Sequence, residues 1–89
     1  MSKQRIELIK NKLADLEPTS IDIEDQGHLH VGHAGSKSGG HFYLRITSKK
    51  FKGLNMIQRH KIIYKCLEDL MKTDIHALSI KALEPNEDN

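Results

Sequence analysis

The chain has no tryptophan, one cysteine and only four aromatic rings besides its histidines, at Phe42, Tyr43, Phe51 and Tyr64. A lone Cys66 cannot close an internal disulfide. So few rings leave little with which to stack unpaired nucleic-acid bases. No apolar run exceeds three residues, against the roughly 20 that a membrane-spanning helix needs. The first residues, MSKQRIELIK, lack the apolar centre of a secretory signal. A cytoplasmic protein, in the cytosol or an organelle matrix and with no membrane partner, is the expectation. Charge of one sign is missing as well: 14 Lys and Arg stand against 12 Asp and Glu, for a formal net charge of +2. That balance excludes a chain-wide basic footprint and leaves room only for a local one. No nucleophile–base pair, carboxylate dyad, or dinucleotide or P-loop glycine pattern stands out, so the residues indicate no enzyme class.

What the chain does have is histidine and glycine in one place. Four of the 6 histidines (His28, His30, His33 and His41) fall between His28 and Phe42, among Gly32, Gly35, Gly39 and Gly40. Imidazole binds metals and takes up protons near neutral pH, and glycine lets a backbone approach a ligand closely while packing nothing itself. A long loop with so little to bury is commonly functional or solvated. His41 stands where a strand begins and reads as closing a hairpin. A self-contained zinc site is disfavoured, because the thiolates and regular ligand spacing of such sites are missing.

The 89 residues suit one small domain. Ile6, Ile9, Leu13 and Leu16 recur at helical spacing after Ser2, a candidate cap, and Pro18 ends that helix. Ile21 to Asp25 alternates with period two and reads as a strand. A second strand, His41 to Thr47, turns Phe42, Leu44 and Ile46 inward and pairs with the first as an antiparallel hairpin. After a basic connector from Ser48 to Gly53, a second helix capped by Asn55 is expected to run to about Lys72. Met56, His60, Ile63, Leu67, Leu70 and Met71 are placed on its apolar side, with His60 as a satisfied core residue. A third strand, Ile75 to Leu83, is expected to carry His76, Leu78, Ile80 and Ala82 on one face. A helical crossover makes the second and third strands parallel. The order is αββαβ: an α+β fold with two main helices on a three-stranded mixed sheet.

Phe51-Lys52-Gly53, then Arg59-His60-Lys61-Ile62-Ile63-Tyr64, then Ile75-His76-Ala77-Leu78-Ser79-Ile80-Lys81-Ala82 resemble the BolA family, as does the loop ending in His41-Phe42. The resemblance runs from the first helix to Pro85. It implies a single BolA-like domain over residues 1–85, a class II KH-like fold, and a flexible acidic tail at 86–89. It further implies a non-enzymatic partner of a monothiol glutaredoxin that co-ligates a bridging [2Fe–2S] cluster, in iron–sulfur assembly, transfer or iron sensing. Carried over, the ligands are His76 and a loop histidine, His30 or His33. A glutaredoxin cysteine and a glutathione thiol would serve the other iron, and the isolated chain would hold no cofactor. The usual aromatic-containing C-terminal segment of the family is absent. The other role the resemblance implies is transcriptional regulation of stress response and cell shape. For that role Lys49, Lys50, Lys52, Arg59, Lys61 and Lys65 would offer DNA a basic face. Phe51-Lys52-Gly53-Leu54-Asn55-Met56 lacks the GXXG loop with which KH domains grip RNA.

Overall fold

The computed structural model describes residues 2–26 and 40–87. A first helix, α1 (Ser2–Leu13), tightens into a 3-10 turn, Ala14–Leu16, and gives way to strand β1 (Ser20–Asp25). Strand β2 (Gly40–Thr47) leads through a 3-10 turn, Lys49–Phe51, into helices α2 (Met56–Cys66) and α3 (Glu68–Met71). Strand β3 (Ile75–Leu83) and a last 3-10 turn, Pro85–Glu87, complete the described chain. The sheet order is β1-β2-β3, antiparallel between β1 and β2 and parallel between β2 and β3. This is the α+β architecture of helices on a three-stranded mixed sheet.

Alternation puts Phe42, Leu44 and Ile46 of β2 on one face, where Ile9, Leu13 and Leu16 meet Ile63, Leu67 and Leu70. Phe51, expected only as part of a basic connector, is fully buried in the same cluster. Its 3-10 turn is capped by Ser48, whose Oγ accepts from the Lys50 N–H at 3.1 Å. The same buried hydroxyl donates to the Leu16 carbonyl at 2.6 Å, and the Ser48 N–H donates to the Leu83 carbonyl at 3.0 Å. One small residue thus ties the end of the first helical segment to the ends of β2 and β3. At the first corner the chain turns at Glu17, which takes a left-handed conformation (φ 47°, ψ 56°) immediately before Pro18. Asn55 caps α2 as expected, within a reciprocal capping box: its side chain accepts from the Gln58 N–H while Gln58 accepts from the Asn55 N–H.

Two expectations change. The second helix is not continuous to Lys72. It breaks at Leu67 (φ −98°, ψ 9°), with Leu67 and Leu70 both in the core. Its inward stripe is also rotated: Met56 is half exposed, and the inward position one turn before Ile63 belongs to Arg59. An arginine there is invisible to a search for apolar periodicity. In the last described turn the Arg59 guanidinium donates to the Glu87 carboxylate at 2.7 Å and contacts Glu84 at 3.3 Å.

Candidate functional site

Strand β3 starts irregularly. Ile75 pairs with Gly40, but Ala77 pairs with His41, so β3 has one residue, His76, more than its partner. Such a bulge re-aims a side chain. Ile75 is buried, as are the inner ends of the rows that Leu78, Ile80 and Ala82 form with β2, while His76 is exposed. His76 therefore does not share a face with Leu78, Ile80 and Ala82. The apolar positions 75, 78, 80 and 82 contain one step of three among steps of two. That odd step was the signal available in the sequence.

The extra residue brings His76 against His41. Their ring centroids lie 5.0 Å apart with 29° between the planes, a stacked pair. His41 alternates with the buried Phe42, so its side chain leaves the core side of the sheet. Backbone bonds hold this end together: the Gly40 N–H donates to the Asp74 carbonyl at 3.0 Å, and the Gln26 N–H donates to the His41 carbonyl at 2.7 Å. A Cβ at Gly40 would overlap the Phe42 ring, so glycine is needed where the chain enters the strand. His30 and His33, the two candidate loop ligands, lie outside the described residues, as does His28. Both flanks of that segment, Gln26 and Gly40, are bonded into the same end of the sheet as the histidine pair. Among the described residues, no three of His, Cys, Asp or Glu gather to hold a metal ion by themselves. Two imidazoles are nonetheless the donor type that replaces thiolate on one iron of a [2Fe–2S] centre.

The six residues expected to form one basic face are distributed differently. Arg59 is buried, and besides its two carboxylate contacts it donates to the carbonyls of Leu54 at 2.9 Å and Ala82 at 3.0 Å. It holds the fold and leaves the surface set. Lys50 reaches back to the Asp15 carbonyl at 2.9 Å and to Glu17 at 3.7 Å. Lys49 and Lys52 line a small cavity of about 260 Å³ with Glu84, Pro85 and Asn86. Lys61 and Lys65 line a different and larger groove along α2.

His60 is half-buried, but its Nε2 is enclosed without a hydrogen-bond partner among the described residues, so it is not the satisfied core histidine expected. Cys66 is half-buried against the core, and burial, followed by the negative charge of Asp15, pushes its thiol above the ordinary cysteine range. A thiol held protonated is a poor nucleophile and metal ligand, consistent with a packing role. Among the described residues, no helix is long and apolar enough to cross a membrane.

A family profile described as "BolA-like protein" matches residues 13–87. The chain is 39% identical over 90 residues to the protein BOLA1, chloroplastic, of Arabidopsis thaliana, covering 96% of this chain and 56% of that protein. It is 38% identical over 88 residues to the DNA-binding transcriptional regulator BolA of Haemophilus influenzae, covering 98% of this chain and 82% of the relative. The solved BolA domain of SufE1 from Arabidopsis thaliana superposes with a TM-score of 0.81 at 42% identity, covering 93% of this chain and 94% of that one. The chain thus spans little more than half the length of the plant BOLA1 protein, and most of the bacterial regulator. By profile, sequence and fold together, this chain belongs to the BolA family.

Proposed function

We propose that this chain is a non-enzymatic adaptor that binds a monothiol glutaredoxin and co-ligates a bridging [2Fe–2S] cluster, in iron–sulfur assembly, transfer or iron sensing. The observation that carries the reading is His76 exposed on a β-bulge, with its ring stacked on His41 at the end of the sheet. His76 supplies one imidazole, and His30 or His33 supplies the other. Along the chain His30 is four and His33 seven residues from Gln26, separations an extended chain spans in about 13 and about 23 Å. His41 acts as a positioning residue that holds the His76 ring. A glutaredoxin cysteine and a glutathione thiol supply the thiolates on the other iron. When bound, a cluster with two imidazoles on one iron has a higher reduction potential than an all-thiolate one. The chain's own part is to present imidazole nitrogen to that iron. The cytoplasm, including an organelle matrix, is the compartment this reading assigns.

Adding the chain to a glutaredoxin–glutathione cluster complex tests the reading. The visible absorption and circular dichroism of the cluster should change at one equivalent. His76→Ala should abolish the change while the far-ultraviolet spectrum stays native; the same cluster spectrum with wild type and variant would remove His76 from the assignment.

A second reading is DNA binding, favoured by the similarity to the DNA-binding transcriptional regulator BolA of Haemophilus influenzae. With Arg59 buried and Lys50 engaged, its surface reduces to Lys61 and Lys65 on α2, with Lys49 and Lys52 at a separate cavity. Duplex binding on this surface should fall steeply with salt and be lost in Lys61→Glu with Lys65→Glu.

A further inference from the structure

The largest exposed apolar side chains outside α1 are on α2: Ile57 is 68% exposed, Met56 52% and Tyr64 38%. Ile57 and Tyr64 are seven residues apart, two helical turns, and so lie on one face. Met71, seven further on, continues the line across the break at Leu67. Tyr64 anchors the middle of the line, its hydroxyl donating to the Leu78 carbonyl at 3.4 Å. Beside this seam an open groove of about 670 Å³ is lined by Lys61, Tyr64, Lys65, Glu68, Met71 and Lys72. Several cations elsewhere are paired, Arg5 with Asp74, Lys12 with Asp69, Lys50 with Glu17, and Arg59 with Glu84 and Glu87, while other described surface cations are not. Among the described residues, Lys61, Lys65 and Lys72 form no ion pair. The structure therefore has an apolar ridge with an unneutralised lysine row along one flank.

We propose that this groove docks an acidic amphipathic helix of a partner protein, its apolar stripe on Ile57, Tyr64 and Met71 and its carboxylates on Lys61, Lys65 and Lys72. Charge complementarity selects an acidic occupant. The apolar ridge selects a protein, because a phosphate backbone has nothing to bury against Ile57. In helix-in-groove recognition the docked helix inserts apolar anchors spaced by three, four and seven residues, and the seven-residue spacing of Ile57, Tyr64 and Met71 lays out a line along which such anchors can pack. Glu68, the lone carboxylate lining the groove, would repel a continuous polyanion and would accept a basic residue on the partner helix. This surface is separate from the histidine pair and does not depend on any cluster.

The test uses the whole chain, isotopically labelled, and two probes. One is a synthetic helical peptide with leucines along one face and glutamates beside them; the other is a DNA duplex. The peptide should shift the amide signals of Ile57, Lys61, Tyr64, Lys65, Met71 and Lys72 in a saturable titration. Ile57→Ser, at a site too exposed to endanger the fold, should weaken the peptide roughly tenfold, as loss of an apolar anchor does. Lys61→Glu with Lys72→Glu should weaken it further. A peptide that leaves these signals unmoved would overturn the proposal, and so would one whose affinity is unchanged by Ile57→Ser. If the duplex saturates the same signals and the peptide does not, the face belongs to nucleic acid and the proposal fails.

Discussion

At the scale of single residues, two side chains carry more of the account than their position in the sequence suggests. His41 holds the His76 ring by stacking, 5.0 Å between centroids. If its role is positional, His41→Phe keeps a flat ring under His76 and retains most of the cluster's circular dichroism signal with glutaredoxin. His41→Ala should lose a large part of it. Loss in both variants alike would instead make His41 a ligand. Arg59 is the second. Its side chain is 7% exposed and serves two carbonyls and two carboxylates from one guanidinium. Arg59→Ala strands the Leu54 and Ala82 carbonyls, and a buried acceptor left unsatisfied costs about 1–3 kcal/mol. Urea denaturation should report a loss of that order, and Arg59→Lys should recover part of it, since an ammonium cannot reproduce the planar fork. Neither role was legible in the sequence. His41 looked like a hairpin closure because its partner comes from a strand 35 residues away, joined through a bulge. Arg59 looked like surface because a charged residue at an inward helical position reads as polar until its partners are in place. The exposed His76, by contrast, was identified from the resemblance alone, and the residue lies where a ligand can be reached.

At the scale of elements, strands and caps were readable and breaks were not. Period-two alternation located β2 and its inward residues, and Asn55 announced the start of α2. Asn55→Ala removes the side-chain acceptor of the Gln58 N–H and should cost about 1 kcal/mol by thermal or chemical denaturation. The break at Leu67 has no glycine or proline to mark it, and the buried Ile63, Leu67 and Leu70 keep helical spacing across it, so apolar periodicity does not reveal it. The free edge of β3 is managed by α2. The Leu83 carbonyl faces β2, so by alternation those of Leu78 and Ala82 face outward, where Tyr64 and Arg59 cap them. The last 3-10 turn is electrostatically latched. The Glu84 N–H, then the Arg59 guanidinium, hold the Glu87 carboxyl below the usual carboxylate range. A folded-state value lowered in this way means the latch stabilises fully above the unfolded value, about 4.3. It is lost as pH falls through the lower folded value. A titration of the Glu87 side-chain carbon should have its midpoint below the ordinary glutamate range, and Glu87→Gln should flatten the acid-side dependence of stability. An unshifted midpoint would mean that the latch does not form in solution.

At the scale of the whole molecule, the fold separates two surfaces. Both helices pack on the face of the sheet that carries Phe42, Leu44 and Ile46, and the histidine pair stands at the end where β2 and β3 begin. The lysine-flanked groove runs along the outer side of α2. The αββαβ order was legible because hydrophobic period changes cleanly between helix and strand, and because a helical crossover is the connection that parallel pairing needs. The exposure of His76 was not legible, because it depends on the bulge where β3 begins. The claim on which the functional account turns is that an imidazole nitrogen of His76 ligates iron in the shared cluster. Pulsed electron paramagnetic resonance of the reduced cluster, assembled with glutaredoxin and this chain labelled with nitrogen-15 histidine, measures that bond directly. The account predicts strongly coupled histidine nitrogen that diminishes in His76→Ala; coupling that is absent, or unaltered by that substitution, would contradict it.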